Sequence, residues 1–358
     1  MQKNNLNYFL AANSCQGFVS FFDTCYDAND LWKVYIIKGG PGTGKSSFMR
    51  KVAKKAENYG FITELCPCSS DPSSLDALIL PQKKIVIMDG TSPHTVDPRY
   101  PAVCEEILNF GDFWNTSVFE GKEERIISIT NKNKTLHQTA SRYLKAAGSF
   151  FIDNFKTVSA CTDNAKVLNF AKKLCKKYIL AKRSNCAKEW VRFLNGTTPN
   201  GIMGYSDTLE SLCDKNIIIS DEYGSVTDLI MKYIREYSLS NGYEIITVKN
   251  AFLPDTLTDG IIIPELSLSF IRETEYLKFN NDSRRIHARR FVSAEQLAKS
   301  RKRIKFNKKA INKLLSASVE TLSEAKAVHD ILEKEYIEAM DFESLNAFAE
   351  EFAERLFL

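Results

Sequence analysis

Short apolar runs alternate with segments of helical periodicity, a pattern that is typical of α/β proteins. The first clear run, residues 34–37, is β-branched and aromatic and precedes a glycine-rich stretch. Apolar residues then recur at helical spacing, at Phe48, Val52, Ala56 and Tyr59. Because Gly60 can end a helix, the pattern predicts a strand, a glycine-rich loop and a helix over residues 34–60.

A second apolar run, residues 85–88, ends in Asp89 and Gly90. Continuous apolar runs of this kind are typical of strands buried in parallel sheets. Between the two runs there is room for the helix and for one more strand, at residues 61–66. Since ligands bind at the carboxyl ends of such strands, Asp89 is expected at the same sheet edge as the glycine-rich loop.

Residues 39–46 fit the phosphate-binding pattern G-x-x-x-x-G-K-[ST]. In such a loop the backbone N–H groups wrap the phosphates, the lysine reaches the β- and γ-phosphates and the hydroxyl binds Mg²⁺. The predicted nucleotide-binding residues are Gly39, Gly40, Pro41, Gly42, Thr43, Gly44, Lys45, Ser46 and Ser47. The chain has no N-K-x-D guanine signature in a suitable place, so the expected ligands are ATP and Mg²⁺.

Four residues are candidates for catalysis in this arrangement. Lys45 would offset phosphate charge, and Asp89 would hold the metal together with Ser46. His94, or Asp97 beside it, could orient a water molecule or contact an acceptor. Asp71, in an Asp-Pro turn after the middle strand, is a rival carboxylate for the same task.

The chain repeats itself. Residues 9–24 match residues 193–208 at an offset of 184, with five of sixteen positions identical. Two shorter matches follow in the same order, residues 36–37 with 218–219 and residues 76–81 with 259–264. Collinear matches of this kind indicate two copies of one α/β unit, and we assign them to residues 1–185 and 186–358.

The second copy lacks the residues that bind phosphate in the first. At the matching offsets it carries Thr227 in place of Lys45, Asp228 in place of Ser46, Val226 in place of Gly44 and Arg272 in place of Asp89. A carboxylate without the lysine would repel a triphosphate. The predicted fold is therefore α/β, with two tandem P-loop NTPase-like parallel-sheet domains, of which the second is degenerate.

Helical patterns follow each copy. Residues 135–180 are helical by period, and in the second half Ser293 and Gln296 belong to a capping box that opens a helical pattern reaching the C-terminus. We interpret both as helical hairpin insertions that pack against the sheets or act as lids.

Composition excludes several classes of protein. The chain has 358 residues, 44% hydrophobic and 26% charged, as in globular proteins and unlike disordered or collagen-like ones. No apolar run approaches the roughly 18 residues of a membrane span, and the polar N-terminus does not resemble a secretory signal. Nine cysteines, an odd number, favour reduced thiols in a cytoplasmic protein. Cys66 and Cys68 lack a second pair at zinc spacing and are interpreted as strand residues.

The net charge of +4 is small, but its distribution is uneven. The segment from Arg284 to Lys309 has eleven basic residues and one acidic residue, whereas residues 320–358 have eleven acidic and three basic. The two segments could be helical faces that neutralise each other. Alternatively, the basic segment binds nucleic acid or another polyanion, or supplies an arginine finger to the γ-phosphate. The candidates for that finger are Arg284, Arg285, Arg289 and Arg290.

With these motifs the chain resembles a bacterial family of tandem P-loop ATPases, largely uncharacterised and sometimes labelled nucleotide kinases. Residues 38–46, 70–76 and 89–94 carry the resemblance, and residues 339–342 are also similar. The resemblance extends over nearly the whole chain. In that family both halves carry a phosphate loop. This sequence departs from the pattern in its second half, which argues against a two-site cooperative mechanism.

Three functions remain open from the sequence. The leading hypothesis is an ATPase that hydrolyses Mg-ATP at one site to drive domain movement. The alternatives are a small-molecule or nucleotide kinase, with its phosphate acceptor under the helical lid, and a nucleotide-sensing switch with little turnover. Gly90 stands where AAA-type enzymes have a hydrolytic glutamate, which favours the two alternatives.

Overall fold

The apolar runs form the strands of two six-stranded sheets in the computed structural model, which describes residues 5–92, 95–181, 187–279 and 283–357. Both sheets are mainly parallel and are flanked by helices, so the fold is mixed α/β. Of the helices in the described part of the chain, none is both long and apolar enough to cross a membrane. The expected boundary between residues 185 and 186 lies outside the described residues.

The first half of the chain contains a strand–loop–helix unit followed by two further helices. Its elements are β1 (Asn5–Asn7), β2 (Ala11–Ser14), β3 (Gly17–Ser20), β4 (Lys33–Lys38), α1 (Lys45–Asn58), β5 (Thr63–Pro67), β6 (Leu75–Leu80), β7 (Ile85–Asp89), β8 (Glu105–Asn109), α2 (Glu123–Ala160) and α3 (Asn164–Tyr178). The helical segment predicted over residues 135–180 is therefore two helices. Asp163 separates them, because its side chain accepts the N–H of Lys166 and caps α3.

The second half repeats the same order of strands, with two additional short helices. Its elements are β9 (Glu189–Arg192), β10 (Asn195–Thr198), β11 (Gly201–Gly204), α4 (Ser206–Leu212), β12 (Lys215–Ser220), α5 (Ser225–Ser240), β13 (Ile245–Lys249), β14 (Thr258–Ile263), β15 (Leu268–Glu273), β16 (Arg284–His287), α6 (Ala294–Lys299), α7 (Arg301–Ile337) and α8 (Phe342–Phe357). The predicted cap at Ser293 is confirmed, since its side chain accepts the N–H of Gln296.

The two sheets have the same connectivity. The first has the strand order β1-β5-β6-β7-β4-β8, and the second the order β9-β13-β14-β15-β12-β16. In each sheet one strand, β6 or β14, runs antiparallel to its neighbours. The sequence predicted one strand between α1 and β7, but β5 and β6 both lie there.

The matching hairpins show the same correspondence in the backbone. The β2–β3 and β10–β11 hairpins turn at Gly17 and Gly201, which both have φ of +101°. These two glycines are 184 residues apart, the offset at which the sequences match. A side chain at such a φ is strained, so glycine is required in both turns.

Contacts divide the chain into two compact units, each drawn from both halves of the sequence. Unit 1 comprises Met1–Ala11, Ser20–Ala140 and Glu320–Leu358, and unit 2 comprises Ala12–Val19 and Ser141–Val319. In unit 1, α1 and α8 pack together over the first sheet, with Phe48 and Phe352 in one apolar core. In unit 2, α3 and α5 form the corresponding pair over the second sheet.

Candidate functional site

The predicted phosphate loop connects the carboxyl end of the strand next to the sheet edge to the start of a helix in unit 1. β4 ends at Lys38 and α1 begins at Lys45, so residues 39–44 form the loop and residues 45–47 the first helical turn. Gly44 lies at the N-cap with φ of +79° and has no side chain that could cap the helix. The first N–H groups of a helix need acceptors and favour an anion, so this end of α1 suits a phosphate.

Lys45 folds back onto the loop that precedes it. Its ammonium donates to the carbonyl oxygen of Gly40 at 2.7 Å and lies 3.5 Å from a carboxylate oxygen of Asp89. Thr43 also donates to the Gly40 carbonyl, at 2.9 Å. Lys45 is therefore a cation held inside the curve of the glycine-rich loop.

Asp89 and Ser46 approach the same loop from neighbouring elements. β7 runs parallel to β4, and Asp89 pairs with Ile37, two residues before the loop. One Asp89 oxygen accepts the N–H of Thr91 at 2.9 Å, and Ser46 Oγ accepts the N–H of Leu75 at 3.1 Å. A carboxylate and a hydroxyl are hard oxygen donors of the kind that Mg²⁺ prefers, usually in company with phosphates and water.

The described residues contain no group of three or more His, Cys, Asp or Glu side chains arranged to hold a metal ion. Mg²⁺ does not need such a group, because one or two carboxylates together with substrate phosphates normally hold it. Ser46 and Asp89 therefore fit a magnesium ion that arrives with a nucleotide better than a metal bound by protein alone.

Helices from the end of the chain cover the outer side of the loop. A Cβ atom added at Gly40 would lie 2.8 Å from the Tyr336 ring, and one at Gly42 would lie 2.8 Å from the carbonyl oxygen of Glu333. At Gly44 the nearest atom would be a methyl group of Leu345, at 2.9 Å. The glycines thus also permit close packing of α7 and α8, which the sequence motif does not reveal.

Substitution of Gly42 should distinguish the cost of backbone strain at this residue from the cost of disturbing its packing against α7. Gly42→Ala is expected to lower the free energy of unfolding by about 1–2 kcal/mol through its φ of +69°, and by a further 1–3 kcal/mol or so through the contact with Glu333. Gly60→Ala is the matched control, because Gly60 has φ of +80° and nothing within 4 Å of the added Cβ. Urea unfolding of both variants measures the difference, and equal losses would contradict the packing of α7 on the loop.

Asp71 is tightly held in the turn before β6. Its carboxylate accepts hydrogen bonds from the hydroxyls of Ser73 at 2.6 Å and Ser74 at 2.9 Å, and Lys326 of α7 lies 3.5 Å away. Burial by itself raises the pKa of the Asp71 carboxyl, but these hydrogen bonds and the Lys326 ammonium outweigh burial and hold that pKa below its ordinary value. Asp71 is therefore an ionised, engaged carboxylate.

The loop after β7 is only partly described. His94 lies outside the described residues, so its position carries no argument. Asp97 pairs with Lys38 at 2.8 Å, and the same ammonium donates to the carbonyl oxygens of Gly90 and Val96 at 2.9 and 2.7 Å. Lys38 thus fastens this loop to the end of β4, a role that nothing in the sequence indicated.

The equivalent loop of unit 2 is shorter. β12 ends at Ser220 and α5 begins at Ser225, so four residues replace six. Buried residues of the two helices still correspond at an offset of 182: Phe48 with Ile230, Met49 with Met231 and Val52 with Ile234. When these buried residues are aligned, α5 begins about half a turn earlier than α1. In the same alignment Thr227 of α5 is the equivalent of Lys45 of α1.

A carboxylate of the protein itself lies at the start of α5. Asp221 accepts the N–H groups of Val226 and Thr227, both at 2.9 Å, and the hydroxyl of Thr227 at 3.1 Å. Asp228, the carboxylate expected to face a phosphate, instead pairs with Lys232 at 2.7 Å. Asp221, which the sequence did not single out, is the group that takes the helix N–H groups.

Arg272 ties the same loop to the sheet of unit 2. Its guanidinium donates to the carbonyl oxygens of Asp221 and Glu222, at 2.7 and 2.9 Å, and to a carboxylate oxygen of Asp259 at 2.9 Å. The side chains of Arg272 and Asp259 are 5% and 1% exposed. A buried positive charge thus occupies the position equivalent to Asp89, and its guanidinium is hydrogen-bonded to groups of the protein itself.

Part of the basic segment is engaged within unit 2. Arg285 donates to both oxygens of Glu273, at 2.8 and 2.6 Å, and Arg284 lies on the ring of Tyr178. Arg290 stacks on Phe170 and Phe291, 5.2 Å from each ring centre. These contacts give three of the four candidate arginines structural partners in their own unit.

One cavity, of about 460 Å³, lies along the edge strand β8. Lys33, Val34 and Tyr35, from the first half of β4, are among its lining residues, with Glu106 and Ile107 of β8. The loop that follows Lys38 is at the opposite end of β4. This cavity is therefore not an acceptor pocket beside the phosphate loop.

Comparison of the chain with protein-family models, with curated proteins and with solved structures found no match. The functional conclusion consequently depends on the residues of the site and on their geometry.

Proposed function

We propose that the chain is a P-loop NTPase that binds Mg-ATP at residues 39–47 and hydrolyses it. The observation that carries the proposal is the position of Lys45 within a glycine-rich loop, 2.7 Å from the Gly40 carbonyl and 3.5 Å from Asp89. A cation and a carboxylate at the uncapped start of a helix, at the carboxyl edge of parallel strands, are suited to a magnesium–polyphosphate ligand.

Each residue has a role that follows from its chemistry. Lys45 exchanges the Gly40 carbonyl for phosphate oxygens and offsets the charge that develops on them. The N–H groups of the loop and of the first turn of α1 hold the phosphate chain in place. Ser46 and Asp89 supply oxygen ligands for magnesium, which when bound neutralises further phosphate charge.

The proposal assigns one nucleotide site to the chain. In unit 2 the Asp221 carboxylate already accepts the N–H groups that a phosphate would need. A second anion at that point would be repelled by this carboxylate and would find no lysine in the loop. Unit 2 is accordingly a degenerate copy that keeps the fold without the ligand.

A kinase is the second candidate, and Gly90 favours it. A Cβ atom at Gly90 would lie 2.4 Å from Ile36 Cγ2 and 3.2 Å from the Val96 carbonyl oxygen. The position directly after Asp89 therefore has no room for a hydrolytic glutamate. In a kinase, a small-molecule hydroxyl or phosphate would replace water, and in a nucleotide-sensing switch neither would react quickly.

Calorimetric titration with ATP, with and without magnesium, tests the proposal. We expect one binding site per chain and tighter binding with magnesium. Incubation with γ-labelled ATP and a metabolite extract then distinguishes the functions, since free phosphate indicates an ATPase, a labelled metabolite a kinase, and neither a switch. The absence of any nucleotide binding would refute the proposal.

A further inference from the structure

One face of α7 lies along the phosphate loop of unit 1. Lys326 and Glu333 are seven residues apart, two helical turns, and so lie on the same face. The Lys326 end of this face meets Asp71, and at the other end the Glu333 carbonyl lies beside Gly42. The distance along the helix between these two residues is about 10 Å at 1.5 Å per residue.

The turn that contains Asp71 packs against the start of α1. Leu75, which ends this turn, donates its N–H to Ser46 Oγ at 3.1 Å. Arg50, on the next turn of α1, donates to the carbonyl oxygen of Ser73 at 2.8 Å. Lys326 therefore contacts a turn that directly borders the predicted magnesium ligand Ser46.

Lys326 differs from the other basic residues of its segment. Residues 320–358 contain three basic side chains, of which Lys334 is exposed and Arg355 lies on the ring of Phe352. The Lys326 side chain is only 24% exposed and pairs with both Asp71 and Asp330. Burial lowers the pKa of Lys326, but these two carboxylates outweigh burial and raise it, so the side chain stays cationic.

We infer that Lys326 is the cation that contacts the terminal phosphate of a bound nucleoside triphosphate. This inference rests on the proposed function. The terminal phosphate carries more charge than either Asp71 or Asp330 alone, so it competes for the Lys326 ammonium, which lies 3.5 Å from Asp71 and donates to Asp330. A lysine on a flexible four-carbon stem can turn from one anion to the other.

Such a role for Lys326 would make an arginine finger from the basic segment unnecessary. Lys326 belongs to the same compact unit as the phosphate loop, and its partner Asp71 lies in the turn whose Leu75 donates to Ser46. Lys326 forms no covalent bond in this role. It donates hydrogen bonds to phosphate oxygens and makes α7 sensitive to whether the terminal phosphate is present.

Two nucleotides and two matched variants test this. Calorimetry should show that Lys326→Ala weakens binding of a non-hydrolysable ATP analogue by about 10- to 100-fold, the usual effect of removing a hydrogen bond to a charged group. ADP affinity should stay within about twofold, because the contact needs the terminal phosphate. Lys334→Ala, on the exposed side of the same helix, should change neither affinity, and Lys326→Arg should restore part of the loss.

The outcomes separate this inference from the proposed function. Equal losses for the ATP analogue and ADP, or no loss at all, would overturn the role of Lys326, since a purely structural lysine would not distinguish the two nucleotides. A wild-type protein that binds neither nucleotide would instead refute the proposed function, whatever Lys326 does. Urea unfolding of Lys326→Ala, with stability close to wild type, ensures that the comparison concerns folded protein.

Discussion

Lys45→Ala is expected to weaken Mg-ATP binding about 10- to 150-fold, which corresponds to the 1.5–3 kcal/mol or so of a hydrogen bond to a charged group. Thr227→Ala, at the equivalent position of α5, should leave the affinity unchanged within about twofold, since unit 2 is proposed to bind no nucleotide. Calorimetry on wild type and both variants measures the two effects directly.

The control for Lys45→Ala is Lys54→Ala. Lys54 lies on the exposed side of α1. Lys54→Ala therefore removes one positive charge from the same helix, as Lys45→Ala does, without changing the loop. The affinity of the Lys54→Ala variant for Mg-ATP should equal that of the wild type. If Lys45→Ala and Thr227→Ala weakened binding equally, the assignment of a single site to unit 1 would be wrong.

The strand, glycine-rich loop and helix that form the proposed phosphate site could be predicted from the sequence because their determinants are local. A β-branched strand, glycines that adopt positive φ and a helix with apolar spacing all lie within residues 34–60. β7 could be predicted in the same way, because an apolar run followed by the carboxylate of Asp89 is a local pattern. The internal repeat could be detected from sequence matches alone, and two copies of one unit are expected to have the same sheet connectivity.

What the sequence did not predict depends on contacts between distant segments. The close approach of Glu333 and Tyr336 to the loop joins residues almost 300 positions apart, and no local pattern marks it. The partnership of Lys326 with Asp71 is of the same kind, although an isolated lysine in an acidic segment could have drawn notice. Asp221 was missed because the alignment placed it in a loop that is two residues shorter, where only the fold brings it to the helix.

Arg272→Ala is expected to lower the free energy of unfolding by about 3–5 kcal/mol, the usual loss when one partner of a buried ion pair is removed. The variant leaves the buried Asp259 side chain without its ion-pair partner, while Asn250 still donates to it at 2.8 Å. It also removes the donors to the carbonyl oxygens of Asp221 and Glu222, so the loop before α5 loses its attachment to β15.

Lys308→Ala is the control for Arg272→Ala, because Lys308 pairs with Glu222 and both side chains are exposed, at 60% and 54%. Exposed pairs contribute only about 0.2–1 kcal/mol. Urea unfolding followed by circular dichroism should therefore separate the two variants clearly. The double variant Arg272→Met with Asp259→Leu should recover part of the stability, since it leaves no unpaired buried charge. A loss below about 1 kcal/mol for Arg272→Ala would mean that Arg272 does not fasten the loop of unit 2.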